Sequence, residues 1–142
     1  MKISIKVILY NSLALIAGII IGMIVNMGII TMSGSIIPFP EGYNATDLDS
    51  MKSSFHLLES KHFIMPWLAH GLGTLVGAFV ATKIAKSYQL IFSIIIGCLF
   101  LAGGIIMVME LPSPLWFNIA DLGFAYIPMA WLGYRLSRKV MA

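Results

Sequence analysis

Three polar side chains, Asn26, His70 and Asp121, interrupt otherwise apolar runs of this chain, and Glu110 closes another such run. A carboxylate among apolar side chains must either protonate or find a partner, because burying it as a lone ion is costly. The best partner this chain offers for Asp121 is the imidazole of His70. Such a pair could relay a proton, orient a lipid headgroup or an organic cation, or supply two ligands to a metal. It could equally serve as a polar clasp between two helices. These readings stay open at the level of sequence. The candidate ligand-binding set is His70, Asp121, Asn26 as a hydrogen-bonding neighbour, and Glu110 at the mouth.

The elements that must position these residues are four apolar runs, predicted as helices over residues 7–31, 63–83, 88–109 and 115–134. Each is near the ~20 residues needed to cross a hydrocarbon core. Lys2 and Lys6 precede the first run, Lys83 and Lys86 sit in the link between the second and third, and Arg135, Arg138 and Lys139 follow the fourth. Basic residues favour the cytoplasmic ends of membrane spans. Four crossings with both termini inside place all three clusters on that side, with residues 32–62 outside. Aromatic residues prefer the interfaces. Trp67 and Trp116 fall near the predicted outer surface, and Tyr10, Tyr88, Trp131 and Tyr134 near the inner one. At 1.5 Å per residue, Asn26, His70 and Asp121 then share one depth, roughly 7–11 Å below the outer boundary.

Small residues recur every four positions in the first helix, at Ala14, Gly18, Gly22 and Asn26. They do so again in the second, at Ala69, Gly73, Gly77 and Ala81. Such stripes let helix backbones approach closely. Short links, around Ser87 and at Glu110-Leu111-Pro112-Ser113-Pro114, make antiparallel neighbours of successive helices. Pro128 removes a hydrogen bond to Phe124 and predicts a kink in the fourth helix. In the outer segment, Pro38-Phe39-Pro40-Glu41-Gly42 cannot continue a helix, and Thr46-Asp47-Leu48-Asp49 is a capping signal. From there Leu48, Met51, Phe55, Leu58 and His62 share a helical face. That pattern predicts a short amphipathic helix across the outer mouth of the bundle or in the headgroup plane.

Several function classes are set aside by composition. With 59% hydrophobic and 11% charged residues, and a mean hydropathy of +0.94, the 142-residue chain lies outside the soluble globular range and makes one membrane domain. The net charge of +3 is explained by topology, so no nucleic-acid partner is expected. Cys98 is the only cysteine, which excludes an intramolecular disulfide and thiol zinc motifs. His56 and His62 flank Glu59 in no recognised zinc pattern, and a solvated face is the better reading for them. No motif for a cofactor, a metal or a catalytic nucleophile is present. The first run is far longer than the roughly 7–15 residues of a cleavable signal core, so it is expected to be a retained helix.

Two stretches carry a resemblance. One is Pro66-Trp67-Leu68-Ala69-His70-Gly71-Leu72-Gly73, followed by Gly77, Ala81 and Lys83. The other runs from Leu111-Pro112-Ser113-Pro114-Leu115-Trp116-Phe117 through Asp121 and Tyr126-Ile127-Pro128 to Ala130-Trp131-Leu132-Gly133. Together with the Pro38-Phe39-Pro40 turn, they resemble a class of small bacterial four-helix membrane proteins with no assigned activity. The resemblance implies an inner-membrane protein with the same four-span plan and supplies no catalytic residues. The expectation is an all-α, four-helix transmembrane bundle that binds or passes a small ligand, lipid or ion through an outward-facing polar pocket. Its partners would be membrane lipids, with a second copy or a larger membrane protein docking on the glycine stripes in the alternative reading. A lipid-modifying enzyme with His70 as base is the third.

Overall fold

Residues 4–141, described by a computed structural model, form six α-helices and two 3-10 turns, with no strand among them. Helix α1 covers Ile5–Ile36, α2 Leu48–Ser54, α3 Ile64–Ile84, α4 Gln89–Glu110, α5 Leu115–Phe124 and α6 Ile127–Met141; the 3-10 turns are Phe55–Leu57 and Ser60–Phe63. Three helical stretches, Ile5–Ile36, Ser60–Ile84 and Gln89–Glu110, are long and apolar enough to cross a membrane.

Glycine contacts define how the helices run. Gly18 lies against Gly77 and Gly22 against Gly73, so α1 and α3 are antiparallel. A Cβ added at Gly18 or Gly22 would come within 2.7 or 2.8 Å of the facing carbonyl oxygen. Gly18 also meets Ile96 and Gly22 meets Phe100, which makes α1 and α4 parallel. On the other side of α3, Gly71 faces Met129 and Gly133 faces Ala78, so α6 runs parallel to α3. The two glycine stripes read from the sequence therefore face one another within the chain.

The core is built from small and hydroxylated residues. Ala14, Ala69, Ala78, Ala81, Ala130, Thr74, Thr82 and Ser93 are all fully buried, and Ile96 is the one large aliphatic residue among the fully buried side chains. Large aliphatics such as Ile16, Ile20, Ile24, Leu99 and Ile106 face outward. A protein folding in water buries such residues instead. Helices that associate in hydrocarbon gain from close backbone approach, for which small residues are suited.

The basic residues of α1, α3, the link between α3 and α4, and α6 gather at one end of the molecule. There Asn11 Nδ2 donates to Ser87 Oγ (2.9 Å), the Lys86 backbone N–H donates to Asn11 Oδ1 (3.0 Å), and Arg138 donates to Gln89 (3.0 Å). The Lys86 ammonium sits over the Tyr10 ring, and the Arg135 guanidinium over Trp131. The opposite end is covered by residues 37–63.

Three expectations are corrected. Helix α1 continues past residue 31 to Ile36, because nothing stops it until Pro38 forces Ile37 into an extended conformation (φ −123°, ψ 96°). The run 115–134 is not one kinked helix. It is two, α5 and α6, separated at Ala125 and Tyr126, and α6 extends to Met141. Pro128 has no N–H for the Phe124 carbonyl, so the chain ends one helix and starts the next, with proline in the tolerated first turn. Finally, the short outer helix does not carry the whole predicted face from Leu48 to His62. Asp47 caps it as expected, its side chain accepting from the Asp49 N–H, but α2 ends at Ser54 and two 3-10 turns follow.

Candidate functional site

His70 and Asp121 meet. Nδ1 of His70 lies 2.8 Å from Oδ1 of Asp121, joining the middle of α3 to α5. Asp121 is buried, and its second oxygen, Oδ2, accepts from the Tyr126 hydroxyl at 2.9 Å. The same hydroxyl is 3.0 Å from His70 Nδ1, so the three side chains close a ring of polar contacts. A carboxylate only accepts, so the histidine tautomer that fits this contact is the one with its proton on Nδ1. Nε2, the other ring nitrogen, has no hydrogen-bond partner among the described residues.

The local sequence builds this ring through backbone devices. Thr74 Oγ1 donates back to the His70 carbonyl (2.7 Å), and Trp67 Nε1 donates to the Ala120 carbonyl (3.1 Å), clamping α3 onto α5 one residue from Asp121. Gly104 of α4 makes room for the Tyr126 ring, because a Cβ there would overlap it. Tyr126 belongs to the Tyr126-Ile127-Pro128 stretch but not to the candidate site residues read from the sequence. It is five positions from Asp121, and in a continuous helix that spacing points the two side chains about 140° apart. Only the break at Ala125 turns Tyr126 inward. The nearby proline was the available signal.

Above the ring lies a cavity of about 370 Å³, lined by His70, Asp121 and Asn26 among mostly apolar side chains. All three residues, matched in the sequence by their distance from the ends of their runs, line one cavity. Asn26 projects from α1, with its Cβ against Gly73, and its amide has no hydrogen-bond partner among the described residues. Glu110 is not brought in. It stands exposed at the end of α4, in an ion pair with Lys52 of α2 that ties the cover to the helices.

The cover supplies the cavity's roof. The predicted apolar face, Leu48, Met51, Phe55, Leu58 and His62, does line the cavity, although no single helix carries it. Phe55 and Phe63 pack on Phe117, anchoring the cover to α5. His62 is a correction: it is buried, not part of a solvated face. Its Nδ1 accepts from the Glu59 N–H (2.8 Å) and its Nε2 donates to the Pro38 carbonyl (3.1 Å), holding two parts of the cover together. His56 is exposed as expected. Tyr43 also lines the cavity, and burial pushes its phenol above the usual value, so it presents a neutral hydroxyl.

Chemically, the arrangement can hold a small molecule under a roof and offer it one imidazole nitrogen, one amide and the Tyr43 hydroxyl. The volume falls within the roughly 300–1,000 Å³ range of small-molecule sites, which combine apolar walls with a few placed polar groups. No family model, no curated protein and no solved structure matches this chain.

Proposed function

We propose that this chain is a four-span protein of the bacterial inner membrane, with both termini cytoplasmic, that binds a small ligand in an outward-facing pocket. The fourth crossing is shared between α5 and the first part of α6. Support for the membrane setting comes from the three long apolar helices and from large aliphatics that face out while alanine, glycine, serine and threonine face in. Support for the orientation comes from the basic residues gathered at one end. The opposite end carries Glu41, Asp47, Asp49, Glu59 and Glu110 against only Lys52 and Lys61.

One observation carries the binding reading: His70 and Asp121, braced by the Tyr126 hydroxyl, form the floor of a roofed cavity into which the Asn26 amide also opens. A clasp between helices needs no cavity, no cover and no unpaired groups. The reading as an accessory subunit rested on the glycine stripes, and these are spent on each other. Native mass spectrometry of the purified protein, compared with a His70→Ala, Asp121→Ala double variant, tests the proposal. A co-purifying mass present on the wild type and missing from the variant is the expected outcome. A bare wild-type protein, unchanged by the substitutions, would return the cluster to a purely structural role.

A further inference from the structure

The walls of the cavity say what chemistry suits it. No lysine or arginine lines it, and the one carboxylate, Asp121, is already engaged by both His70 and Tyr126. An anionic head would find no fixed cation there, and a cationic head no free carboxylate. What is left for a ligand is Nε2 of His70 and the Asn26 amide at the floor and the neutral Tyr43 hydroxyl at the roof, with no charged group among them. A hydroxyl both donates and accepts, so it satisfies Nε2 whether or not that nitrogen is protonated, and it suits either end of the amide.

The position of the mouth says where the ligand comes from. Helices α1 and α4 touch at Gly18–Ile96 and Gly22–Phe100, but one turn later, at Asn26 and Gly104, they stand apart and line the cavity. Met27 of α1 lines it too and is 49% exposed, so the cavity reaches the flank of the bundle there, besides the exposed lining residues Thr46 and Leu48 of the cover. On the proposed topology Met27 lies below the outer membrane boundary, so that flank faces lipid.

We infer that the cavity takes an uncharged single-chain amphiphile with a hydroxylated head, entering from the outer leaflet between α1 and α4. The head bonds to His70 Nε2 and the Asn26 amide, and the chain lies along the apolar walls toward Met27. This inference rests on the pocket reading given above and adds the ligand class and route.

The test is native mass spectrometry of the full chain released from phosphatidylcholine nanodiscs. The probes are monolauroylglycerol, lauroyl lysophosphatidylglycerol, dodecyltrimethylammonium and free glycerol. Two variants probe the site, each first checked for wild-type thermal unfolding. Asn26→Leu removes the amide at similar volume. His70→Asn keeps an N–H where Nδ1 donates to Asp121 and removes Nε2. One monolauroylglycerol per chain is expected, held about tenfold more weakly by either variant, which is the scale of one lost hydrogen bond. Equal or tighter binding of the lysophospholipid would overturn the uncharged head. Free glycerol held as well as monolauroylglycerol would overturn the membrane source. Monolauroylglycerol held equally by all three proteins, or by none, would overturn the inference outright. If dodecyltrimethylammonium alone is held, and both variants lose it, the pocket stands and the ligand class assigned to it fails.

Discussion

The two halves of the α1–α3–α4 package are made from the same helices and behave in opposite ways. Toward the basic end, Gly18 and Gly22 bring α1 into backbone contact with α3, and Ile96 and Phe100 of α4 seal the remaining side. One turn further on, Asn26 replaces glycine on α1, Gly104 stands opposite, and the space between them is a cavity under a separate roof. Glycine has contrary effects in the two halves. In the first it lets backbones meet. In the second, Gly104 admits the ring of Tyr126 from the break between α5 and α6, and the Tyr126 hydroxyl braces Asp121 from behind the cavity floor. Close packing needs a small residue on both helices; an open site needs one helix to turn its small residue toward something else.

The comparison breaks most severely at the floor. Asp121→Ala leaves two buried partners, His70 Nδ1 and the Tyr126 hydroxyl, without their acceptor, and should destabilise the fold by about 3 kcal/mol. Titration with a denaturing detergent, followed by circular dichroism, would measure it. In the closed half, Gly18→Leu forces a side chain against the Gly77 carbonyl and should cost about 2 kcal/mol by the same titration, as overpacking does. The adjacent glycines of α4 sharpen the contrast. Gly104→Ala collides with Tyr126 and should cost more than about 1 kcal/mol, whereas Gly103, with open space beside it, should accept alanine with no loss or a gain of up to ~1 kcal/mol. Equal responses at 103 and 104 would deny Tyr126 its inward position. Tyr126→Phe keeps the ring in its niche and removes only the hydroxyl, for about 1 kcal/mol. Least of all, Glu110→Gln breaks an exposed ion pair to Lys52 and should change stability by less than about 1 kcal/mol. Its effect belongs to the cover, read as faster protease cleavage within residues 37–63.

Much of the site was legible because period and burial leave marks in a linear chain. The polar residues inside apolar runs were few, and counting residues from the ends of the runs placed Asn26, His70 and Asp121 at one level. The apolar face of residues 48–62 likewise survived a wrong expectation about its helix, because side chains were matched to a common surface whatever the backbone between them did. His62 was misjudged. A histidine beside a glutamate and a lysine looks solvated until both ring nitrogens are found paired with backbone groups of a folded cover. Glu110, the last residue of its apolar run, reads as a solvated end residue as readily as a mouth residue, and it stands exposed beside Lys52. The end of a helix gives depth but not the direction its side chain takes.

By itself, the sequence determined that the chain is helical and that three of its helices are apolar enough to cross a membrane. It also determined that seven of its nine basic residues flank the apolar runs on one side, and which polar residues could meet. These follow from local composition and from periodicity, which act over a few turns. The tertiary structure alone decided that the glycine stripes are spent on each other, that α1 and α4 part above Phe100, and that Tyr126 joins His70 and Asp121. Each of those depends on which residue of a distant helix stands opposite. Pairings of that kind arise from close packing across the whole chain, and no window along it contains them.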